Sequence, residues 1–380
     1  MITAFRRRTG RWASKTVVAL AATLLGTGTA LAAVTGPAAA ASPPGTVIYS
    51  TTATLPGDLA ALATGKRIQY VSTDVNGASI TVTGLVLTPR AYRQYKTVAW
   101  AHGTTGLADQ CAPSTNQAVF WPEAQAAVAE LLRRGWTVAA TDYAGLGTPQ
   151  QHPYLIGGSE ARAIIDSVKA ARYLDSSLST QYAIDGHSQG GQGGLFANQM
   201  APGYDGALVL KGVAAIAPVS NVDLLAPLIP GTPGQGYLIM GINGLAAVQP
   251  TFSPVPLMAP PAISRMSVLV TGCLNEILAA YAPLTATQLL VGGALPASVV
   301  TRLAYFDNPA QTAPSAPMLI VQGTDDQAVP FSITHDALLP ELAAYSQPVT
   351  FDEIAGADHD SSVVLSTGTV ANWIAGRFAS

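Results

Sequence analysis

Short apolar runs alternate with longer stretches of helical periodicity along most of this chain. Continuous apolar runs predict buried strands at 97–101, 136–140, 180–184, 212–217, 318–322 and 349–354. Helical periodicity and end signals predict helices at 122–134, 159–174, 332–345 and 361–378. A strand, a helix and a further strand form the unit of a parallel sheet. The pattern therefore predicts an α/β fold with a mostly parallel central sheet and helices on both of its faces.

The segment before the first buried strand predicts a hairpin. Alternating runs at 68–72 and 80–87 flank Asn76-Gly77, a dipeptide that is typical of tight β-turns. Residues 42–66 are rich in proline, glycine, threonine and alanine, and they predict no definite element.

The alternation stops between residues 220 and 315, a segment called the insertion below. The insertion is apolar, is interrupted by many prolines and glycines, and predicts helical pieces only near 268–280 and 285–290. It follows a core strand, so it should lie at the carboxyl ends of the strands, where ligands bind in parallel sheets. We interpret it as a lid inside a core of residues 42–219 and 316–380; the alternative is a second structural domain.

The N-terminal region predicts a secretory signal peptide over residues 1–41. It combines five basic residues, an apolar stretch at 16–33 and the small residues Ala39-Ala40-Ala41, which fit a cleavage site. The alternative is a membrane anchor, but the stretch is weakly hydrophobic for a stable span. The sequence does not decide between the general and the twin-arginine export routes. Export predicts a secreted protein without a stable anchor.

Charge and cysteine content narrow the function further. Without residues 1–41 the chain keeps 14 Lys and Arg against 22 Asp and Glu, a net charge of −8. No basic cluster is present, which argues against nucleic-acid binding. The two cysteines of an exported protein favour one disulfide, Cys111–Cys273, rather than two unpaired buried thiols. Scattered histidines with no ligand spacing predict no metal site and no cofactor.

The heptapeptide Asp185-Gly186-His187-Ser188-Gln189-Gly190-Gly191 carries the candidate chemistry. It contains Gly-x-Ser-x-Gly between a predicted strand and a predicted helix, which is the setting of a nucleophile elbow. Because Gly-x-Ser-x-Gly also occurs by chance in a glycine-rich chain, the alternative is an ordinary loop. The flanking elements favour Ser188 as a nucleophile.

A serine nucleophile needs a histidine base and an orienting carboxylate, in the chain order Ser, acid, His. Only His335 and His359 follow Ser188 at a distance, and His359 lies in a loop directly after the last strand. We therefore predict His359 as the base. His335 lies inside a predicted helix.

The acid should follow the preceding strand, where Asp325 and Asp326 are adjacent. The spacing to Val329-Pro330 favours Asp326, and Asp325 stays an alternative. Two backbone N–H groups should stabilise the oxyanion, those of Gln189 and of Thr104 in the loop after the 97–101 strand. His102 in that loop is interpreted as structural.

Several motifs together resemble the secretory lipase family of exported α/β-hydrolases related to lipase A. They are His102-Gly103-Thr104-Thr105-Gly106, Asp142-Tyr143-Ala144-Gly145-Leu146-Gly147 with His152-Pro153-Tyr154, the Gly-His-Ser-Gln-Gly-Gly elbow, and 322–330. The resemblance extends from about residue 46 to the C-terminus. It implies hydrolysis of carboxylic esters, often acylglycerols, beneath a large helical lid, with Ser188, Asp326 and His359 as the triad.

The sequence thus predicts a secreted serine lipase or esterase that forms an acyl-enzyme intermediate. Its expected substrate is a hydrophobic ester, which can be presented at a lipid–water interface. Three alternatives stay open: an esterase for small esters or acylated polysaccharides, a prolyl-type serine peptidase, and a binding protein that has lost catalysis. The insertion has few and scattered acidic residues, which disfavours the peptidase.

Overall fold

A computed structural model describes residues 42–380, and the predicted signal peptide lies outside this range. Its described residues form one nine-stranded sheet, in the order β1-β2-β3-β5-β4-β6-β7-β8-β9. The strands are β1 (Val47–Ala53), β2 (Ala63–Thr73), β3 (Ser79–Pro89), β4 (Thr97–Ala101), β5 (Thr137–Thr141), β6 (Gln181–His187), β7 (Val209–Ile216), β8 (Met318–Gly323) and β9 (Val349–Ile354). Strands β4 to β9 pair in parallel, and β1 to β3 are antiparallel. The predicted mostly parallel sheet is confirmed.

The helices cover both faces of the sheet and the carboxyl ends of its strands. They are α1 (Gly57–Leu62), α2 (Pro122–Arg133), α3 (Gly157–Leu174), α4 (Gln189–Tyr204), α5 (Val222–Leu225), α6 (Gln235–Val248), α7 (Pro260–Ile263), α8 (Val268–Thr271), α9 (Leu274–Tyr281), α10 (Ala286–Leu289), α11 (Ala297–Asp307), α12 (Leu339–Ala343) and α13 (Ser361–Ala379). Short 3₁₀ turns at Asp109–Cys111, Gln117–Val119, Ala226–Leu228, Val255–Leu257 and Val291–Gly293 and a π-helix at Ile333–Leu338 complete the set.

Two apolar layers hold the helices on the sheet. On one face Ile164 of α3 and Leu195 of α4 pack in a buried cluster with Ile184 of β6. On the other face the helices α1, α2 and α13 contribute to a second cluster, which includes Trp100 and Val138 of the sheet. The continuous apolar strands of the sequence are buried because both faces are covered, as expected for a parallel sheet.

The strand order fixes the place of the site. Strand β4 lies between β5 and β6, so the direction of the crossovers reverses around β4. Ligands bind in the crevice that such a reversal opens at the carboxyl ends of the strands. Ala101 of β4 pairs with Gly186 of β6, which brings the loop after β4 beside the turn after β6.

The insertion contains the seven helices α5 to α11 and has a buried apolar cluster of its own. That cluster includes Leu238, Ile239 and Ile277 from the insertion, together with Tyr154 and Val329 from loops at the carboxyl edge of the sheet. The insertion therefore packs on the edge where the loops of the parallel strands end. The 42–380 segment contains no helix that is both long and apolar enough to cross a bilayer.

A disulfide joins Cys111, in the loop after β4, to Cys273 at the start of α9, with the Cα atoms 5.5 Å apart. This is the pairing predicted from the sequence. It connects two segments 162 residues apart and attaches the insertion covalently to the core.

Three parts of the chain differ from the predicted elements. In the insertion, α6 and α11 lie where the sequence predicted no helix, because α6 is buried around most of its circumference and shows no amphipathic periodicity. Residues 42–66 contain β1 and α1, which the sequence did not predict because β1 lies at the sheet edge and is largely exposed. The predicted helix at 332–345 is a π-helix followed by α12. The change of helix type places Pro340 in the first turn of α12, where its missing N–H costs least.

Candidate active site

Ser188 occupies the turn between β6, which ends at His187, and α4, which begins at Gln189. Its backbone angles, φ 56° and ψ −116°, are sparsely populated for a residue with a side chain. The Ser188 N–H donates to the carbonyl of Ile216 in β7 (2.9 Å), which helps to hold this strained conformation. Strand, strained serine and helix follow one another as in a nucleophile elbow.

Close packing explains the glycines on both sides of Ser188. A Cβ atom at Gly186 would lie 2.3 Å from the carbonyl oxygen of Gly190, and one at Gly190 would lie 1.9 Å from that of Ala101. Neither position has room for a side chain. The turn can therefore be this tight only with glycine at both places.

The loop after β9 brings His359 to Asp326, which follows β8. The His359 Nδ1–H donates to Asp326 Oδ2 over 2.7 Å. The other oxygen of Asp326 accepts from the backbone N–H groups of Ala328 (2.8 Å) and Val329 (2.9 Å), so this buried carboxylate is well satisfied. Asp325 is exposed and does not contact His359 in this way.

The charge state of His359 follows from these contacts. Burial lowers the pKa of His359, but the hydrogen bond and the charge of Asp326 outweigh it and hold the pKa above its ordinary value. Asp358 and Asp360 act in the same direction. His335, the other histidine considered from the sequence, has a half-exposed side chain that bonds Asp336 and lies in the π-helix.

Ser188 and His359 line the same two cavities, but no hydrogen bond joins the Ser188 hydroxyl to any residue within 42–380. Catalytic hydrogen bonds are often long without substrate and tighten in the reacting complex. Gly103 lies close to this serine, because a Cβ atom at position 103 would be 3.6 Å from Ser188 Cβ.

The backbone N–H groups of Gln189 and Thr104 are among those near Ser188 that have no acceptor within residues 42–380. Gln189 begins α4, where the first N–H groups of a helix lack partners within the helix. Thr104 is fixed by its other atoms: its hydroxyl bonds the Tyr154 hydroxyl (2.8 Å), and its carbonyl accepts from the Trp121 indole (3.2 Å). These are the two residues that the sequence predicts for the oxyanion.

A buried polar network behind the elbow was not predicted from the sequence. The Gln189 side-chain amide donates to Glu160 Oε1 (2.8 Å) and to His152 Nε2 (3.1 Å). His152 donates from Nδ1 to the carbonyl of Ala144 (2.6 Å), which fixes its tautomer. Burial lowers the pKa of His152 to about 4 and raises the pKa of Glu160 to about 8. Both groups are therefore uncharged near neutral pH, and the network fixes the side chain of Gln189.

The two remaining buried histidines, His102 and His187, lie beside the Ser188 site. His102 donates from Nδ1 to the Gly103 carbonyl (2.7 Å), and burial lowers its pKa to about 4. His187 contacts the His359 ring, with centroids 4.6 Å apart. Within residues 42–380, one group of metal-ligand type, His187, His359 and Asp360, has candidate ligand atoms within 4.8 Å of one another. His359 already bonds Asp326 and lines the cavities at Ser188, so we assign these three residues to the Ser188 site rather than to a separate metal site.

Two cavities of different chemistry meet at Ser188 and His359. The first, called the apolar cavity below, measures about 680 Å³ and is lined mainly by aliphatic side chains of the insertion, among them Val222, Leu225, Ile229, Leu238 and Leu303. The second, called the polar cavity, measures about 570 Å³, and its lining includes Trp121, Glu123, Asn275, Asp358 and Asp360. Burial raises the pKa of Glu123 to about 7.

The model of the family described as secretory lipase matches residues 122–380, more than half of the chain. The chain belongs to the secretory lipase family. It is a carboxylic ester hydrolase, and its substrate is an ester. The resemblance and the enzyme class predicted from the sequence are confirmed.

Individual secretory lipases and solved structures agree with this assignment. Secreted triacylglycerol lipases LIP4 and LIP7 of Malassezia globosa are 24% and 23% identical, over 82% and 80% of this chain and 71% and 68% of their own. Candida antarctica lipase A in its closed state superposes with a TM-score of 0.75 at 18% identity, covering 89% of this chain and 83% of that one. The rice cell wall degrading esterase LipA of Xanthomonas oryzae gives 0.72 at 20%, covering 87% and 100%. The predicted α/β-hydrolase fold is confirmed.

Proposed function

We propose that this secretory lipase hydrolyses hydrophobic esters such as acylglycerols through an acyl-enzyme intermediate on Ser188. His359 is the general base, and Asp326 orients it. The observation that carries the proposal is the strained Ser188 at a strand–helix turn, in a cavity shared with a histidine whose Nδ1 is bonded to a buried carboxylate. A nucleophile, base and orienting acid in this relation define the serine hydrolase triad.

The reaction follows from the roles of these groups. His359 Nε2 accepts the Ser188 proton while Oγ attacks the ester carbonyl, and Asp326 stabilises the imidazolium that forms. The backbone N–H groups of Thr104 and Gln189 donate to the oxyanion of the tetrahedral intermediate. Its collapse breaks the bond to the alcohol, which leaves with the proton from His359. In the second half of the reaction, His359 takes a proton from a water molecule while that water attacks the acyl carbonyl. Collapse of this intermediate breaks the bond to Ser188, which receives the proton from His359, and no cofactor takes part.

The apolar cavity supports a hydrophobic acyl group. Its aliphatic lining begins at Ser188 and extends through the insertion, so an acyl chain bound there removes apolar surface from water on both sides. We further propose that the insertion, residues 220–315, acts as a lid over this cavity and that the core comprises 42–219 and 316–380.

A second candidate function is supported by the polar cavity. Trp121, Glu123 and Asn275 are side chains that can contact the hydroxyls of a polar alcohol. An esterase that removes acyl groups from small esters or polysaccharides would use this cavity for its leaving group, and one solved structural neighbour is described as a rice cell wall degrading esterase. Chain-length preference separates the two functions.

We also propose that residues 1–41 direct export and are then removed. The names of the Malassezia globosa relatives, which are described as secreted, support this proposal. N-terminal sequencing of the exported protein tests it, and we expect the mature chain to begin at Ser42.

The function is tested with a fluorophosphonate probe and a panel of p-nitrophenyl esters from acetyl to hexadecanoyl, followed by an emulsified triacylglycerol. We expect the probe to label wild type but not Ser188→Ala, and kcat/KM to rise with acyl length. Activity confined to acetyl esters, with no gain at an oil interface, would instead favour the small-ester function. Labelling that persists in Ser188→Ala would refute Ser188 as the nucleophile.

A further inference from the structure

Asp307 is a buried carboxyl in the wall of the apolar cavity. It is the last residue of α11, only 1% of its surface is exposed to solvent, and it lines the cavity together with Leu155, Leu238 and Leu303. Aspartate is almost never fully buried unless its carboxyl is paired. A carboxyl in aliphatic surroundings therefore needs an explanation.

No residue within 42–380 donates a hydrogen bond to either carboxyl oxygen of Asp307, and Oδ1 is fully buried. The nearby Gln192 amide donates to the backbone carbonyl of Asp307 (2.8 Å), so it does not satisfy the side chain. By contrast, the buried carboxyls of Asp142 and Asp166 each accept two hydrogen bonds. The packing of the protein therefore supplies partners to those carboxyls and none to Asp307. The side chain of Asp185 is likewise buried without a hydrogen-bond partner within 42–380, but it lines neither the apolar nor the polar cavity.

The surroundings of Asp307 favour its uncharged form. Burial, and then the neighbouring carboxyl of Glu160, raise the pKa of Asp307 well above its ordinary value. In its protonated form, which burial favours, a carboxyl both donates a hydrogen bond through its O–H and accepts one at its carbonyl oxygen. A hydroxyl group has the same two capacities, so the two groups are complementary.

We propose that Asp307 is a specificity-determining residue that hydrogen-bonds a hydroxyl group on the acyl chain of the substrate. The preferred substrates are therefore esters of hydroxylated fatty acids rather than of plain alkanoic acids. This inference rests on the proposed function, because it needs the acyl chain to occupy the apolar cavity. The aliphatic wall binds the chain, and Asp307 selects a chain with a polar group at the matching position.

An amine on the acyl chain is the competing ligand, since an ionised Asp307 would pair with an ammonium group. Burial among the aliphatic side chains of the cavity disfavours ionisation of Asp307, so we expect the hydroxyl to be preferred. Methyl esters of dodecanoic, hydroxydodecanoic and aminododecanoic acids distinguish these ligands, with the substituent moved along the chain.

The experiment compares wild type with Asp307→Leu, which is similar in size but apolar, and with Asp307→Asn, which keeps a donor and an acceptor. For at least one hydroxyl position, we expect wild type and Asp307→Asn to favour the hydroxy ester over the plain ester by roughly three- to tenfold in kcat/KM. Asp307→Leu should lose this preference, so that the ratio of kcat/KM for the hydroxy ester to that for the plain ester falls to about one.

The thermal stability of Asp307→Leu distinguishes a substrate-binding role of Asp307 from a structural role, because the two roles predict opposite changes in Tm. Because Asp307→Leu removes an unsatisfied buried polar group, we expect its Tm to rise; a structural carboxyl would give a lower Tm. Wild type without a hydroxyl preference at any position, a preference that survives in Asp307→Leu, or a stronger preference for the amino ester would each overturn the inference. Plain esters that are not hydrolysed at all would overturn the proposed function instead.

Discussion

The apolar and polar cavities differ in chemistry far more than in size. They measure about 680 and 570 Å³ and share five lining residues, Ser188, Tyr237, Gln327, Ala328 and His359. The first is lined mainly by the insertion, whereas the second includes carboxylates from α2 and from the loop after β9. An ester that reacts at Ser188 has an acyl side and an alcohol side. The two sides of the substrate therefore meet different surfaces, which mutations can change separately.

Directional hydrogen bonds fix the residues on the core side of the site, whereas the insertion lines its side mainly with aliphatic groups. Asp326 accepts hydrogen bonds from two backbone N–H groups, the Gln322 side chain and His359. Aliphatic contacts in the apolar cavity have no comparable directionality, so they can accept chains of several lengths. From this contrast we expect core substitutions to change the rate for all esters and insertion substitutions to change selectivity.

The largest effect is expected from the acid of the proposed triad. Asp326→Asn removes the negative charge that orients and stabilises His359, and we expect kcat to fall by about 10⁴-fold on short and long esters alike. Asp325→Asn is the matched control, because Asp325 is the exposed neighbour in the same turn, and it should stay within about twofold of wild type. Equal losses in both variants, measured by initial rates on a soluble ester, would contradict the assignment of Asp326.

The candidate residues on the core side of the site could be predicted from the sequence. Chain order and the ends of apolar strands were enough to select Ser188 and His359 as candidates, because parallel strands bring their carboxyl ends to one edge. The choice between Asp325 and Asp326 rested on motif spacing. Only the coordinates show that the Asp326 carboxyl enters the turn and that the Asp325 carboxyl faces solvent. The two residues are of the same type, and the sequence does not show which way each side chain points.

The surroundings of the site were not predictable in the same way. Glu160 contacts Gln189 across 29 residues, and its position in the first turn of α3 is ordinary for a helix. Asp307 lies in the insertion, where prolines and short helices leave no clear periodicity. Contacts of this kind depend on how the helices of the insertion pack on the core, and no local pattern encodes that packing.

The next effect concerns the insertion side alone. Gly241 of α6 is buried and lines the apolar cavity, and an added Cβ atom there meets no atom within 4 Å. Gly241→Leu should therefore fit the fold while occupying cavity space that we propose for the acyl chain. We expect kcat/KM for a hexadecanoyl ester to fall by roughly 10- to 100-fold, with little change for the acetyl ester.

Gly368→Leu in α13 is the matched control for this substitution. Gly368 is also helical and also has no atom within 4 Å of an added Cβ, but it is exposed and lies outside the cavity. Both substitutions gain helix propensity, so differences in stability should be small. A uniform loss for short and long esters in Gly241→Leu would mean that the apolar cavity does not bind the acyl chain.

A smaller effect on all esters is expected from the network behind the elbow. Glu160→Leu removes the acceptor of the Leu155 N–H and one of the two acceptors of the Gln189 amide. This loss should displace the start of α4 and the oxyanion donor that we propose there. We expect kcat to fall about tenfold with KM nearly unchanged, the pattern for an interaction made mainly in the transition state. Glu160→Gln keeps an acceptor oxygen and should retain most of the activity. A KM change without a kcat change would instead assign Glu160 to substrate binding.

The smallest effect is a shift in pH dependence on the polar side. His359 acts as a base only when it is unprotonated, so kcat/KM should fall as the pH drops through its raised pKa. The Asp360 carboxylate helps to hold that pKa up, and Asp360→Asn should therefore move the acid limb of the profile to lower pH. The shift should shrink in high salt, because exposed charges are screened. Asp336→Asn is the control, because Asp336 pairs with His335, and it should not shift the acid limb. An acid limb that stays in place in Asp360→Asn would show that Asp360 does not influence the pKa of His359.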